Sequence, residues 1–296
     1  MILALVLLLL AAPTAQAGSL PAPGQILARV GDYVRRFETD FAIIISDERY
    51  DQKDVVIGDN GRLRSRAQRA IRSETLSAWV PEQQAWLTAR NVLTVDGAAV
   101  PDSKARLDAA LAENTPDTRA RLRRLRDEGA RFNVGRIYRN FNDPTLVMQY
   151  LDPTYQPRFA FTLLSADRIG GVDAWKIAFA ERSKPTLIQT PTVDLVSTGT
   201  VWVGRADGSV VRTMLTVKDV LSNTTAQIDV DYRLDPKLGI RVPVRMSESY
   251  EQQALENIAP AGAPQRLATR RERIECVATY SNYRRFETSG RLVSPQ

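Results

Sequence analysis

The sequence predicts an α+β fold built on an antiparallel sheet with one apolar face. Apolar and polar residues alternate with a period of two in most segments after residue 155, and short turns containing Gly or Asp separate these segments. Two other regions, residues 25–40 and 102–151, carry apolar residues at helical spacing instead. The chain has 296 residues, of which 44% are hydrophobic and 25% charged, so it is long enough to bury a substantial core.

Residues 1–17 are predicted to be a cleaved secretory signal peptide. The apolar run from Ile2 to Ala12 is too short to span a bilayer of about 30 Å, and an A-x-A cleavage pattern ends at Ala17. A buried N-terminal helix or strand is the alternative. No Cys follows the run, so lipidation at the N-terminus is not expected. We therefore expect a soluble periplasmic or secreted protein whose mature part, residues 18–296, forms one domain.

The first elements predicted after the signal peptide are a helix and three strands. Residues 25–40 form a helix with one apolar face, and a strand begins at Ile43. The stretch 62–72 contains five Arg and no acidic residue, a pattern typical of an exposed edge strand or of a solvated helix face. Two further strands are predicted at 75–80 and 85–95.

A helical insertion is predicted from about residue 102 to residue 151. Asp102 and Thr115 are suitable N-cap residues, Pro116 suits the first position of a helix, and a short apolar helix follows Pro144. We expect this insertion and the N-terminal helix to cover the apolar face of the sheet.

The insertion contains an Arg-rich run, because five of the eight residues from 119 to 126 are Arg. On a helix Arg119, Arg123 and Arg126 share one face. Such a face suits an anionic lipid headgroup or another envelope protein, or it is simply solvated. The chain has 40 Lys+Arg against 34 Asp+Glu, so peripheral contact with an anionic membrane is a further expectation. Nucleic acid is not expected as a partner, because an exported protein rarely meets it.

Nine apolar residues of the alternating segments are predicted to line a concave sheet face and a cavity for an apolar ligand. They are Phe159, Phe161, Trp175, Ile177, Phe179, Ile228, Val230, Val244 and Met246. Ordinary core packing of the same side chains is the alternative. Pro243 predicts a bulge or an edge position in its strand. Residues 251–271 lack periodicity and are predicted to form a long loop.

The composition excludes several kinds of catalysis. The chain has no His, which removes Ser-His-Asp and Cys-His catalysis and almost every zinc or copper site. The single Cys, Cys276, lies in an alternating apolar segment and is predicted to be a buried structural thiol. Motifs for phosphate loops, dinucleotide binding and nucleophile elbows are missing from the sequence. We expect a protein that is not an enzyme and needs no cofactor.

Three stretches resemble the periplasmic lipoprotein-carrier-like (LolA/LolB-like) superfamily. They are RIGGVDAWKIAF at 168–179, GTVWVGRADGSVVRTMLTV at 199–217 and the closing segment YSNYRRF at 280–286. The resemblance covers mainly residues 155–290. It implies a curved, half-open antiparallel sheet, an incomplete barrel covered by helices, with an apolar cavity for acyl chains. The chain looks similar to uncharacterised bacterial proteins of the outer-membrane lipoprotein-sorting type.

The sequence leaves three hypotheses about function. The first is an exported, non-catalytic envelope protein that binds a lipid, an acyl chain or a lipoprotein in an apolar cavity. The second is a protein-interaction or regulatory module without a small ligand. It would use the Arg-rich helix and the predicted 251–271 loop. The third is a hydrolase that works with a pair of carboxylates.

Overall fold

The computed structural model describes residues 21–40, 43–58, 62–80, 85–111, 118–137, 139, 141–190, 192–257, 259, 262, 264–287 and 291–292. The predicted signal peptide, its cleavage site and the predicted helix start at Thr115 lie outside these residues. No helix in the described part of the chain is long and apolar enough to cross a bilayer.

Four α-helices and fourteen strands make up the described fold. The helices are α1 (Pro23–Asp40), α2 (Ser103–Leu111), α3 (Thr118–Ala130) and α4 (Leu146–Leu151). The strands are β1 (Ile43–Ile57), β2 (Leu63–Val80), β3 (Ala85–Val95), β4 (Ala98–Ala99), β5 (Phe159–Ile169), β6 (Val172–Glu181), β7 (Ile188–Gln189), β8 (Asp194–Leu195), β9 (Ser197–Gly204), β10 (Val210–Asp219), β11 (Thr224–Asp235), β12 (Ile240–Asn257), β13 (Leu267–Glu287) and β14 (Arg291–Leu292).

One curved antiparallel sheet organises the molecule. Its strands follow the order β4-β3-β2-β1-β13-β12-β11-β10-β9-β6-β5, with β14 paired to β13, and β7 and β8 form a separate small ribbon. Among the described residues the terminal strands β4 and β5 do not pair with each other, so the sheet stays open. The predicted α+β fold with a half-open antiparallel sheet is confirmed.

The main core lies between this sheet and the helices α1 and α4. Helix α1 contributes Val30, Val34 and Phe37 to the core, and α4 contributes Met148 and Tyr150. These side chains are almost fully buried, as the helical spacing of the apolar residues predicts. The predicted N-terminal helix is confirmed and begins at Pro23.

The approach of α1 to the loop after α4 depends on a glycine. A Cβ atom at Gly31 would lie 2.8 Å from Cγ of Pro153, which is closer than real Cβ contacts allow. Only glycine therefore fits where α1 crosses this loop.

Helix α3 packs on the opposite half of the sheet through a small separate cluster. Leu122 and Leu125 of α3 contact a group that includes Ile45, Leu76 and Ala89 of β1, β2 and β3. The leucines of the Arg-rich run therefore face the protein, as the helical spacing predicts.

The structure decides between the two alternatives for residues 62–72. The stretch belongs to β2, and among the described residues 63–70 pair with β1 alone, because β3 pairs with β2 only from Ile71 onward. The exposed edge strand is therefore confirmed for residues 63–70, and the helix face is wrong. The same strand continues to Val80, so the strand predicted at 75–80 is its second half. The arginines therefore lie along an exposed edge, where charged side chains are common. Arg66 also pairs with the buried Asp54 of β1 at 3.1 Å.

The loop predicted at 251–271 was also wrong. Most of this stretch forms the paired ends of β12 and β13. The bulge predicted at Pro243 is confirmed, since the register between β11 and β12 shifts at this position. The sequence of 251–271 lacks alternation because this hairpin extends past the neighbouring strands, so neither face needs to be apolar.

Candidate functional site

The helical insertion includes a stretch without regular structure that lies across the sheet. Residues 131–145 connect α3 to α4 and are called the crossing segment below. It contacts successive strands from β2 to β11. Arg69 of β2 donates to the carbonyl of Phe132 at 3.0 Å, and Tyr232 of β11 donates to the carbonyl of Pro144 at 2.5 Å. The crossing segment therefore covers the middle of the sheet.

Gln52 of β1 fixes the first part of the crossing segment. Its side-chain amide donates to the carbonyl of Phe132 at 3.1 Å. Its Oε1 accepts from the backbone N–H of Val134 at 3.1 Å and from Arg139 at 2.9 Å. Gln52 is buried, so these bonds replace the water that its amide would otherwise bind.

Arg139 fixes the second part of the crossing segment and is only 2% exposed. Besides Gln52, its guanidinium donates to the carbonyl of Val134 at 2.9 Å and to Sγ of Cys276 at 2.8 Å. It also lies 5.5 Å from the ring centroid of Tyr250. A buried cation thus joins the crossing segment to β1, β12 and β13.

A second, partly buried cation lies on β3. Arg90 of β3 makes a two-pronged bond to the carboxylate of Glu48, with Nη2 at 2.8 Å from Oε1, and Ser73 donates to the same carboxylate at 2.6 Å. Burial acts to lower the pKa of Arg90, but Glu48 outweighs this effect and raises that pKa overall. Arg90 also stacks 4.2 Å from the ring centroid of Tyr50.

Glu248 and Cys276 are paired positions on β12 and β13 in the same region. Burial raises the pKa of Glu248, whose carboxylate accepts a hydrogen bond from Tyr250. Burial, followed by the nearby Glu248 carboxylate, raises the pKa of the Cys276 thiol to about 12. Cys276 is therefore a buried, protonated thiol, as the sequence predicts. Among the described residues, no group of three or more Cys, Asp or Glu side chains is arranged to hold a metal ion.

The crossing segment covers two cavities. The polar cavity, about 270 Å³, lies beside Glu48, Arg90, Arg139 and Tyr280 and reaches the end of α3 at Arg126. The apolar cavity, also about 270 Å³, lies between the crossing segment, the β7–β8 ribbon and strands β10 to β12. The apolar side chains that line the apolar cavity are Ile137, Phe141, Ile188, Leu195, Val217, Ala226 and Tyr250.

Three residues line both cavities and so separate them. They are Phe141 of the crossing segment and Ile188 and Gln189 of β7. The ring of Phe141 lies 6.3 Å from the ring of Tyr250 in an edge-on arrangement. A ligand with an apolar chain and a polar end would meet an apolar chamber on one side of Phe141 and an arginine-containing chamber on the other.

The nine apolar residues predicted for the concave face all belong to the main core. Phe161, Trp175 and Val244 are half-buried at its margin. The other six are buried: Phe159, Ile177, Phe179, Ile228, Val230 and Met246. Trp175 also lines a wide groove between the start of α1 and strands β6 and β9. These residues form the floor under α1 and α4, and their contact with a ligand stays a prediction.

The three predicted arginines of α3 have different surroundings. Arg126 lines the polar cavity and pairs with Asp127 at 3.5 Å. Arg123 is exposed, and the side chain of Arg119 lies outside the described residues. Contact of these arginines with an anionic group or with a partner stays a prediction.

The polar groups under the crossing segment were not predicted from the sequence. Glu48, Tyr50, Gln52 and Asp54 alternate along β1, and all four are buried. The inward-facing positions of this strand are polar, like its outward-facing ones. The alternation of apolar and polar residues that normally marks a half-buried strand is therefore missing. In the sequence, the positions from Asp47 to Asp54 are polar at nearly every step, and the alternation of buried and exposed side chains appears only in the structure.

The fold and the two cavities define an open-sheet protein with internal chambers beneath a covering segment. Similar solved structures include a DUF1329 family protein from Desulfovibrio piger, at 10% identity and a TM-score of 0.37 over 87% of this chain and 92% of that one. A putative outer membrane lipoprotein-sorting protein domain from Vibrio parahaemolyticus aligns at 11% identity and a TM-score of 0.39, over 89% and 92%.

A LolA superfamily protein from Nitrosomonas europaea aligns at 11% identity and a TM-score of 0.33, over 89% of this chain and 93% of that one. This is the superfamily that the sequence motifs resemble. No protein-family profile matches the chain, and no curated protein of similar sequence is found.

Proposed function

We propose that this protein is an exported, non-catalytic envelope protein that holds an acyl chain, or another aliphatic chain of a lipid or lipoprotein, in the apolar cavity. The observation that carries the proposal is the apolar cavity itself. It is lined by seven apolar residues and seven polar or charged ones, and Phe141 separates it from an arginine-containing cavity. Ligand sites in proteins are concave and mostly apolar, with a few polar groups that orient the ligand.

The volume of the apolar cavity sets the length of chain that it accepts. A cavity of 270 Å³ has room for about nine methylene groups, if each needs about the 30 Å³ that a water molecule occupies. Burying nine methylenes contributes about 7 kcal/mol at 0.8 kcal/mol each. Part of this is lost to the entropy of binding. We therefore expect a chain of about eight to ten carbons, or the end of a longer one, with micromolar affinity or weaker.

The polar end of the ligand would contact the polar cavity or its rim. Arg139 is held by the neutral amide of Gln52 and contributes a positive field, whereas the charge of Arg90 is balanced by Glu48. Arg126 pairs only loosely with the neighbouring Asp127 on the surface, which is a weak interaction in water. Its guanidinium is therefore available to turn towards an anionic headgroup.

Native mass spectrometry with organic extraction tests the proposal on residues 18–296 purified from the periplasm. We expect a bound lipid or acyl chain at a one-to-one ratio. A bare protein mass with nothing extractable would contradict the proposal, provided that added decanoate also fails to displace a fluorescent fatty acid.

Two variants locate the ligand. Ala226→Leu adds a larger side chain inside the apolar cavity and should lower fatty-acid affinity at least tenfold. Thr225→Leu adds comparable bulk at the neighbouring exposed position of β11 and should leave the affinity unchanged. Equal affinities for both variants, with unchanged melting temperatures, would place the ligand elsewhere.

A further inference from the structure

Exposed apolar side chains are concentrated at one end of the sheet. Among the described residues, eight large hydrophobic side chains are strongly exposed, and six of them lie at this end. The six are Leu63, Val196, Val220, Leu221, Leu255 and Leu267. The two others are Leu164 in the edge strand β5 and Leu234 near the opposite end. Isolated exposed leucines are ordinary, but a cluster at one end indicates a contact surface.

The pairing register brings the six residues together. Leu63 of β2 pairs with Ile57, which also pairs with Arg271 of β13. Leu267 lies four residues before Arg271 on the same strand and pairs with the end of β12. The turn between β10 and β11 lies beside β12, because Gln253 donates to the carbonyl of Asn223 at 3.2 Å. We call these hairpin ends of β1–β2, β10–β11 and β12–β13 the hairpin rim.

The β12–β13 hairpin extends furthest. Its pairing with β11 ends at Gln252 and its pairing with β1 ends at Arg271, whereas β12 continues to Asn257. Five residues of β12 therefore extend about 17 Å past the last residue paired with β11, at about 3.4 Å per residue. Leu255, which is 70% exposed, lies on this projecting part.

Basic side chains lie among the apolar ones. Arg64, Lys218 and Arg271 are exposed on the hairpin rim, next to or near Leu63, Val220 and Leu267. The acidic Asp219 in the same turn accepts hydrogen bonds from the backbone N–H groups of Leu221 and Ser222, which helps to hold the turn in shape. The rim thus combines projecting leucines with exposed cations.

We propose that the hairpin rim docks on an anionic lipid bilayer. Apolar tips that stand on separate hairpins do not form the continuous area of about 800 Å² per partner that a stable protein interface needs. A bilayer does not require a continuous area, because each tip inserts into the headgroup region on its own while the cations contact lipid phosphates.

The position of the apolar cavity agrees with this surface. Its lining includes Ser222 and Thr224 of the β10–β11 hairpin and Gln252 of β12. Docking would therefore bring this end of the cavity close to the lipid surface. The docking proposal goes beyond the proposed function, because the rim would bind a bilayer even if the cavity were empty.

Vesicle co-sedimentation of the delipidated full-length mature chain tests this proposal. The vesicles are pure phosphatidylcholine, or phosphatidylcholine with 30% phosphatidylglycerol, each at low salt and at 0.5 M salt. We expect binding to the anionic vesicles at low salt and much weaker binding in the other three conditions. No binding to anionic vesicles at low salt would overturn the proposal. The delipidated protein carries no cavity ligand. The absence of vesicle binding would therefore contradict the docking proposal without contradicting a bound lipid found by extraction.

Matched variants separate the rim from the rest of the surface. Leu221→Ser with Leu255→Ser should weaken vesicle binding by about a hundredfold, at about tenfold per inserted leucine. The control pair Leu164→Ser with Leu234→Ser removes two other exposed leucines, at 50% and 59% exposure, away from the rim and should leave binding unchanged. An equal loss of vesicle binding in both double variants would overturn the proposal.

Charge variants test the electrostatic part. Arg64→Gln with Arg271→Gln should weaken binding at low salt by about 25-fold, at about fivefold per cation. Arg168→Gln with Arg233→Gln, away from the rim, should have no effect. A concentration-dependent dimer that the rim leucine variants abolish, with vesicle binding unaffected, would assign the rim to a second copy of the chain and overturn the proposal.

Discussion

Replacing Gln52 with leucine should release the crossing segment from the sheet. Leucine is one atom shorter than glutamine and neither donates nor accepts a hydrogen bond through its side chain. The change removes the bonds of Gln52 to Phe132, Val134 and Arg139, whose lengths are 3.1, 3.1 and 2.9 Å. The N–H of Val134 would be left buried and unpaired unless the segment moves outward.

The structure allows the size of this effect to be estimated. Two neutral bonds contribute about 1 kcal/mol each, and the bond from the charged Arg139 about 1.5–3 kcal/mol. Arg139 keeps its bonds to Val134 and Cys276, and the carbonyl of Phe132 keeps its bond from Arg69, which reduces the loss. We expect the local opening free energy to fall by about 3 kcal/mol, which corresponds to a roughly 150-fold faster hydrogen exchange.

Hydrogen exchange followed by mass spectrometry measures this effect on peptides that cover residues 131–137. The control is Gln68→Leu, which removes an exposed glutamine with one weak bond, at 3.4 Å, to Ser65. Urea unfolding of both variants shows whether the loss is local or global. Unchanged exchange of residues 131–137 in Gln52→Leu would refute the role given to this side chain.

Three further predictions concern the helix α1 and the thiol. Gly31→Ala should lower the free energy of unfolding by about 1–3 kcal/mol, because the added methyl group meets a proline ring. Gly24→Ala on the same helix places its methyl group in open space and should raise the free energy of unfolding by about 0.5 kcal/mol. Urea unfolding measures both effects. Burial, followed by a nearby carboxylate, raises the pKa of Glu38 from 4.5 to about 7, so its ionisation destabilises the fold increasingly as the pH rises between these values. Glu38→Gln should therefore stabilise by about 1–2 kcal/mol at pH 8 and by nothing at pH 4, while Asp32→Asn, at an exposed position of the same helix, should show no such pH-dependent gain. Cys276 should react with a thiol reagent at pH 8 only as fast as the protein unfolds, and at once in urea; fast labelling of the folded protein would show that it is accessible.

The sheet was predictable where one of its faces is apolar. Ile228, Val230 and Tyr232 alternate with polar residues because they face the core, and the structure has them buried on one strand. The hairpin at the ends of β12 and β13 was not predictable by this signal, because it extends into solvent on both faces. The edge position of residues 63–70 was predictable from their many arginines, whereas the ion pair between Arg66 and Asp54 depends on a proximity that only the folded chain creates.

The chambers were less accessible to sequence reasoning than the sheet. Phe141 and Ile188, which separate the two cavities, lie in irregular or very short elements, where no period marks a buried face. Arg139 resembles any surface arginine in the sequence, and its burial follows from partners on three different strands. Periodicity predicts which face of an element is covered, but it does not predict what covers it.

The central place of β13 in the sheet has a consequence for how the chain folds. Ile44, near the start of the sheet-forming chain, pairs with Arg285, near its end, and β13 also pairs with β12 along its length. Until this last long strand has emerged, β1–β4 and β5–β12 are two half-sheets with nothing between them. Pairings between strands so far apart in the sequence form slowly, because a long loop must close before their hydrogen bonds and contacts can stabilise the fold. An unfinished chain therefore stays open along both inner edges. The two halves of the sheet join only when the C-terminal part of the chain is available.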